Sequence, residues 1–314
     1  MKKLNLTIAI SALALSIFTI SCSNNDDSDY PSGEKSNTNF YMTDAPTDNA
    51  NVKGVVVTVA DVKVNGVSIE GFSKTTLDLM KYQNGMTKLL GNLELNAGSY
   101  SNLTLVLDNE TDANGNAPGS YVLMTNGSIK ALQSSSSTIK INDTFEIFET
   151  SSNNVVLDFD IRKSIVDSGN EDFKFVSSSE LSSSIRVVNE DNAGEIKGTA
   201  NDTQNTSDKV IVYAYTKGTF NENRETSAQG SGVLFANAVN SSSVNAFTGK
   251  YELNFLAEGD YELHFVSYKD TDNDGRFEFN GLLTAESIAG IDLGNISIIS
   301  SLNINVGVNL KAKQ

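Results

Sequence analysis

Asp270, Asp272 and Asp274 fall at alternate positions in the run Asp270-Thr271-Asp272-Asn273-Asp274-Gly275. Three carboxylates spaced this way turn inward together when the chain makes a tight loop, and Gly275 permits the sharp turn. Oxygen ligands at such spacing form the front half of a calcium loop, because Ca²⁺ takes six to eight oxygens. A helix–loop–helix calcium site would need Glu at its twelfth position, which here is Gly281, and the flanking residues predict no helix. Glu278, at the ninth position, completes a shorter site. Three like charges packed together without a cation repel. The expected metal ligands are therefore Asp270, Asp272, Asp274 and Glu278, and the expected cofactor is Ca²⁺. The competing expectation is a solvated acidic turn between strands.

Other acidic residues carry weaker expectations. The loop Asp108-Asn109-Glu110-Thr111-Asp112-Ala113-Asn114-Gly115 is irregularly spaced and reads as an ordinary acidic loop. Asp158 and Asp160 lie two apart and share one face of a strand. Paired carboxylates of this kind can serve glycoside hydrolysis, yet neither has an identifiable partner, so both read as structural acids. Asp44, before Ala45-Pro46, reads as a turn residue. His264 is the only histidine; it sits in an alternating segment on the face opposite Leu263 and Phe265, which predicts a solvent-facing ring. With one His and one Cys, the chain is short of the ligands for a zinc site of the usual type, and a Ser-His-Asp or Cys-His site would have to use His264, with Cys22 in the anchor. No catalytic residue is expected.

The elements that must position these groups are strands. Alternation of apolar and polar residues dominates, and long helical periodicity is nearly absent. The valines of 55–64 read as a strand buried on both faces at its start, with Asn65-Gly66 as a hairpin turn. Further strands are expected at 103–107, 121–124, 138–141, 155–159 and 185–188. After a polar break at Asn189–Ala193 they resume at 195–200, 209–216, 233–239, 251–256, 261–268 and 296–310. Short helical turns are expected at 86–93 and 161–166, and long loops at 109–119, 201–208 and 216–232. The fold class is all-β: two sandwich-like domains, 38–189 and 190–314.

The N-terminus speaks to location. Lys2 and Lys3 precede an apolar stretch, Leu4 to Ile20, and Ser21 is a small residue before Cys22, the only cysteine. That is a signal peptide, residues 1–21. Thr19-Ile20-Ser21-Cys22 resembles the lipobox of bacterial lipoproteins, with Thr19 a departure from the usual Leu. The resemblance implies cleavage before Cys22, acylation of that thiol with a palmitate-type lipid, and attachment to a membrane. A lone cysteine forms no intramolecular disulfide. Residues 22–37, rich in Ser, Asn and Asp, read as a flexible tether. The cluster Ser23-Asn24-Asn25-Asp26-Asp27 resembles the signal that sends Bacteroidota lipoproteins to the outer face of the outer membrane, which implies the cell surface. The formal net charge of −16 repels phosphate backbones, so nucleic acid is not an expected partner.

Two further resemblances bear on the domains. Tyr41-Met42-Thr43-Asp44-Ala45-Pro46, Leu77-Asp78-Leu79, Asn84-Gly85, Leu89-Leu90-Gly91, Ala97-Gly98-Ser99-Tyr100, Val156-Leu157-Asp158-Phe159-Asp160 and Lys163-Ser164-Ile165 resemble, in order and spacing, domain of unknown function 4382 over about residues 38–188. This implies a mostly β fold in an exported protein and brings no activity. Gly194-Glu195-Ile196-Lys197-Gly198, Phe247-Thr248-Gly249-Lys250-Tyr251-Glu252-Leu253 and Gly259-Asp260-Tyr261-Glu262-Leu263 look like the carboxypeptidase-regulatory or transthyretin-like β-sandwich, with a long insertion before residue 247. Such modules are non-catalytic spacers or binding units. The functional expectation is a non-enzymatic, lipid-anchored module for surface binding or adhesion, taking a glycan or a protein as ligand. The alternatives are a glycan-binding accessory of polysaccharide uptake and a carboxylate-dependent hydrolase.

Overall fold

The strand Val52–Val64 shows in miniature how this chain folds. Val55, Val56, Val57, Thr58 and Val59 are all buried, so the strand is covered on both faces where its valines are consecutive. It then reaches the turn at Asn65 and Gly66, whose φ of 50° and 81° are the left-handed values the Asn-Gly pair tolerates. The computed structural model describes residues 34–44, 51–134, 136–167, 172–204 and 207–313. The signal peptide, Cys22, the first part of the tether, Ala45 and Pro46 lie outside the described residues.

Among the described residues strand accounts for 55% and helix for 7%, which makes the fold all-β. Residues 31–314 form one compact unit. Among the described residues no sheet mixes strands from before and after residue 190. Before it, one four-stranded sheet runs Ile185–Asn189, Ser152–Phe159, Lys35–Asp44, Lys88–Asn96, with Lys35–Asp44 parallel to Ser152–Phe159. A seven-stranded sheet is built around Val52–Val64, flanked by Leu103–Leu107 and Tyr121–Met124. Phe40, Met42, Leu157 and Phe159 of the first sheet and Val55, Val57, Val62 and Leu105 of the second enter one apolar core, the sandwich arrangement.

After residue 190 a single nine-stranded sheet contains Ala193–Asp202, Lys209–Thr216, Lys250–Ala257, Gly259–Lys269 and Glu278–Ser287. It curls until its two end strands nearly meet, with Glu252 N donating to Ser242 Oγ at 3.2 Å. Lys209–Thr216 is buried on both faces: Val210, Val212 and Ala214 join the inner core with Tyr251, Leu253, Tyr261 and Leu263, while Ile211, Tyr213 and Tyr215 join an outer one with Phe235 and Tyr268.

Four expectations are corrected. Residues 86–93 are not a helical turn but the start of the strand Lys88–Asn96. A bulge opposite Phe40 and Tyr41 leaves Leu90 unpaired, so Leu90 and Leu93 are buried three residues apart, a helix-like spacing produced by a strand irregularity. Residues 233–239 are turns rather than a strand; they cover the outer core, and Phe235 has φ of 52°. The tether does not extend to residue 37, because the first strand begins at Lys35, where buried Ser36 accepts from Asn153 Nδ2 at 2.7 Å. The stretch 296–310 is not one strand but three short ones, Ile296–Ile298, Asn303–Asn305 and Val308–Ala312.

Candidate functional site

The candidate metal loop joins Gly259–Lys269 to Glu278–Ser287. Those strands pair antiparallel with Lys269 opposite Glu278, which returns Glu278 to the side of Asp270. Between them Asn273 and Gly275 take φ of 61° and 85°. The positive φ favours glycine at 275, and a Cβ there would stand 2.4 Å from Asn51 Oδ1 and push that side chain aside. Ligand oxygens of Asp270, Asp272 and Glu278 lie within 4.8 Å of one another. The loop's own N–H groups already orient them. Asp270 accepts from Asp274 N at 3.1 Å and Gly275 N at 3.0 Å, and Glu278 Oε2 accepts from Thr271 N and Oγ1 at 3.0 Å each. These Thr271 bonds hold the Glu278 carboxyl below its ordinary range. Asp274 sits apart from this group: its Oδ1 accepts from Arg276 N at 2.7 Å, and Arg276 Nε stands 3.9 Å from its Oδ2. Its main chain fixes the loop instead, since Asp274 O accepts from Asn51 Nδ2 at 2.6 Å. Arg276 also pairs with Asp167. Three acidic oxygens converging on one point are the hard donors that Ca²⁺ prefers.

The second acidic loop spends its carboxylates locally. Asp108 pairs with Lys74 at 2.7 Å and caps Glu110 N and Thr111 N; the Lys74 bond holds it far below the usual carboxylate range. Asp112 accepts from Asn114 N and Asn116 N.

Asp158 and Asp160 are buried and each faces an arginine. Asp158 Oδ2 accepts from Arg186 at 2.7 Å, and Asp160 Oδ2 from Arg162 at 3.2 Å. Asp160 also caps the short helix Ile161–Ser164 through Lys163 N. Asp44, expected in a turn, ends the strand Lys35–Asp44 fully buried, accepting from Gln83 Nε2 and Ile161 N at 3.2 Å each. Burial, reinforced by Asp160 and Asp158, pushes its carboxyl well above the ordinary value. Arg162 and Arg186 were not anticipated as partners. Arg162 lies only two residues past Asp160, but the carbonyls it also reaches, Leu234 and Phe235, are 72 and 73 positions away, and Arg186 is 28 positions from Asp158.

His264 is not left to solvent as expected. Phe220, from the loop after Thr216, stacks on it with ring centroids 3.7 Å apart, and Tyr215 meets it edge-on. Burial lowers its pKa despite Glu262 Oε2 at 3.4 Å from Nε2.

The strand Lys35–Asp44, the valine strand and the block Val156–Asp160 with its capped helix occupy the order and spacing noted in the sequence. Residues 35–177 match the family model of DUF4382, a domain of unknown function. No curated protein matches the chain. Among solved structures, the Bacillus anthracis TIE protein aligns at 13% identity and TM-score 0.19, over 88% of this chain and 34% of that one. The present chain thus spans about a third of that protein. BcpA, the major pilin subunit of Bacillus cereus, aligns at 11% identity and TM-score 0.22 over 88% of this chain and 71% of its own. The major pilin T3.2 of Streptococcus pyogenes aligns at 12% and 0.20 over 90% and 99%. These scores fix neither topology nor activity. Two residues that clamp the acidic loop from outside, Asn51 and Asp167, belong to the DUF4382 region.

Proposed function

We propose that this chain is a non-catalytic, lipid-anchored binding or adhesion module on the outer face of the outer membrane, with Ca²⁺ held at Asp270, Asp272 and Glu278. The observation that carries this reading is the convergence of those three carboxylates in a loop clamped to the DUF4382 region. A cation there would relieve their repulsion and stiffen the junction between the two halves of the chain. Asp274 contributes through its carbonyl and its contact with Arg276. The hydrolase reading is disfavoured, because Asp158 and Asp160 are both committed to buried ion pairs.

Calcium is tested by thermal denaturation of the chain lacking residues 1–21. At about one hundred times its dissociation constant, Ca²⁺ should add about 2.7 kcal/mol of stability. EDTA should reverse the rise, and Asp272→Asn should remove most of it. An unchanged melting temperature would remove calcium from the proposal. The anchor is tested by metabolic labelling with radioactive palmitate. Wild type should incorporate label and be digested by protease added to intact cells, and Cys22→Ala should carry no label; equal labelling of both would refute anchoring at Cys22.

A further inference from the structure

A groove of about 1010 Å³ opens at one end of the second sheet. Its walls are the end of Ala193–Asp202, the start of Lys209–Thr216, the turn 245–249 and Phe277 from the acidic loop. Its size suits a ligand of several rings. We propose that this groove binds a neutral oligosaccharide, with one sugar ring stacked on Phe247. The inference deepens the binding-module reading and rests on it.

Phe247 is 98% exposed, yet its backbone is firmly held. Asn245 Oδ1 accepts from Phe247 N at 3.0 Å and Thr248 N at 2.9 Å, while Asn245 O accepts from Gly249 N at 2.8 Å. The turn therefore displays the ring from a fixed base, which limits the ordering required when a ligand stacks on it. A second aromatic, Phe277, also lines the groove, with Lys209 Nζ 5.6 Å from its ring centroid. Around these rings the lining mixes amide, hydroxyl and carboxylate groups, Asn201, Asp208 and Thr248 among them, with the apolar Ala200, Val210, Val244 and Ala246. A sugar ring matches that mixture, having an apolar C–H face and a rim of hydroxyls. An apolar peptide segment would displace water from these polar groups and offer no hydrogen bonds in return. Asp202 and Asp208 against Lys209 alone disfavour an anionic ligand.

The groove also touches the acidic loop. Asp208 Oδ2 accepts from Asp270 N at 3.1 Å, and Phe277 directly precedes Glu278. A cation at Asp270, Asp272 and Glu278 would thereby hold two walls of the groove in place.

The experiment is native affinity electrophoresis of the chain lacking residues 1–21, in gels containing galactomannan, xylan, laminarin or soluble starch, with denatured collagen as the protein matrix. Wild type should be retarded by at least one polysaccharide. Phe247→Ala should weaken that retardation about tenfold, the loss of one aromatic stack, with its melting temperature unchanged. Phe247→Tyr should retain it. Free migration in all four polysaccharide gels, equal retardation of wild type and Phe247→Ala, or retardation by collagen alone would each overturn the proposal. Retardation that depends on Phe247 but is indifferent to EDTA supports the groove and overturns only its link to calcium. Calcium-induced stabilisation without retardation overturns the groove and leaves the calcium reading standing.

Discussion

Arg162→Ala should destabilise the protein by about 3–5 kcal/mol, the range for removing one partner of a buried ion pair. The side chains of Arg162 and Asp160 are 4% and 8% exposed, and their closest approach is 3.2 Å. Arg162 Nη1 also donates to Leu234 O at 2.6 Å and Phe235 O at 3.2 Å, and the guanidinium lies 5.1 Å from the Tyr213 ring centroid. Burial, the largest single effect, works against its charge, and Asp160 together with Tyr213, Tyr268 and Tyr215 outweighs it, so its pKa is raised. Deleting the side chain would leave Asp160 with Lys163 at 3.7 Å as its nearest cation, would take this donor from Leu234 O, and would leave Phe235 O with Ala238 N. Arg162→Lys should recover only part of the loss, since a single ammonium cannot reproduce a planar fork reaching three acceptors. Urea denaturation checks this. Adding Asp160→Asn to Arg162→Ala should cost less than the sum of the single changes, because the buried charge goes with its partner. A loss below about 1 kcal/mol for Arg162→Ala would place the pair in the weak, solvated class.

This junction also shows where the sequence was readable. Alternation reports burial of one face of a strand, so Leu103–Leu107, Tyr121–Met124 and Tyr251–Leu253 were legible from their residues alone. The Asn65-Gly66 turn was legible for the same local reason. Leu90 was misread because a bulge mimics helical spacing. Residues 233–239 were misread because an apolar run can cover a core as a turn as well as a strand. His264 was misread because the ring that covers it, Phe220, comes from a loop 44 positions earlier. Asp44 was misread because its burial depends on Gln83 and Ile161, 39 and 117 positions away. In the acidic loop, the structure brings Asp270, Asp272 and Glu278 together and leaves Asp274 apart. Arg276, two residues past Asp274, draws the carboxylate of Asp274 to itself, and Asn51 and Asp167 close the loop from the other half of the chain. Local pattern located the donors, and long-range contacts decided which of them meet.

Phe235→Ala should cost about 3–5 kcal/mol, the range for emptying an aromatic site in a packed core. Phe235 is fully buried, stacks on Tyr213 with centroids 4.5 Å apart, and meets Phe279 edge-on at 5.6 Å. Its N–H donates to Glu225 O at 2.8 Å and its carbonyl accepts from Arg162. The ring thus fills the outer core while the backbone links the covering loop to the DUF4382 region. Its φ of 52° adds a second test. A left-handed conformation is unfavourable by roughly 1–2 kcal/mol for a residue with a Cβ and is freely taken by glycine. Phe235→Gly should therefore match or exceed Phe235→Ala in stability, although glycine in an ordinary strand or helix is the weaker residue. The ring accounts for most of the loss in both variants, and the difference between them isolates the backbone. If Phe235→Gly proved less stable than Phe235→Ala by about 1 kcal/mol in urea denaturation, the left-handed turn would be wrong, and the hydrogen bonds that join Arg162 to Leu234 and Phe235 would need another path.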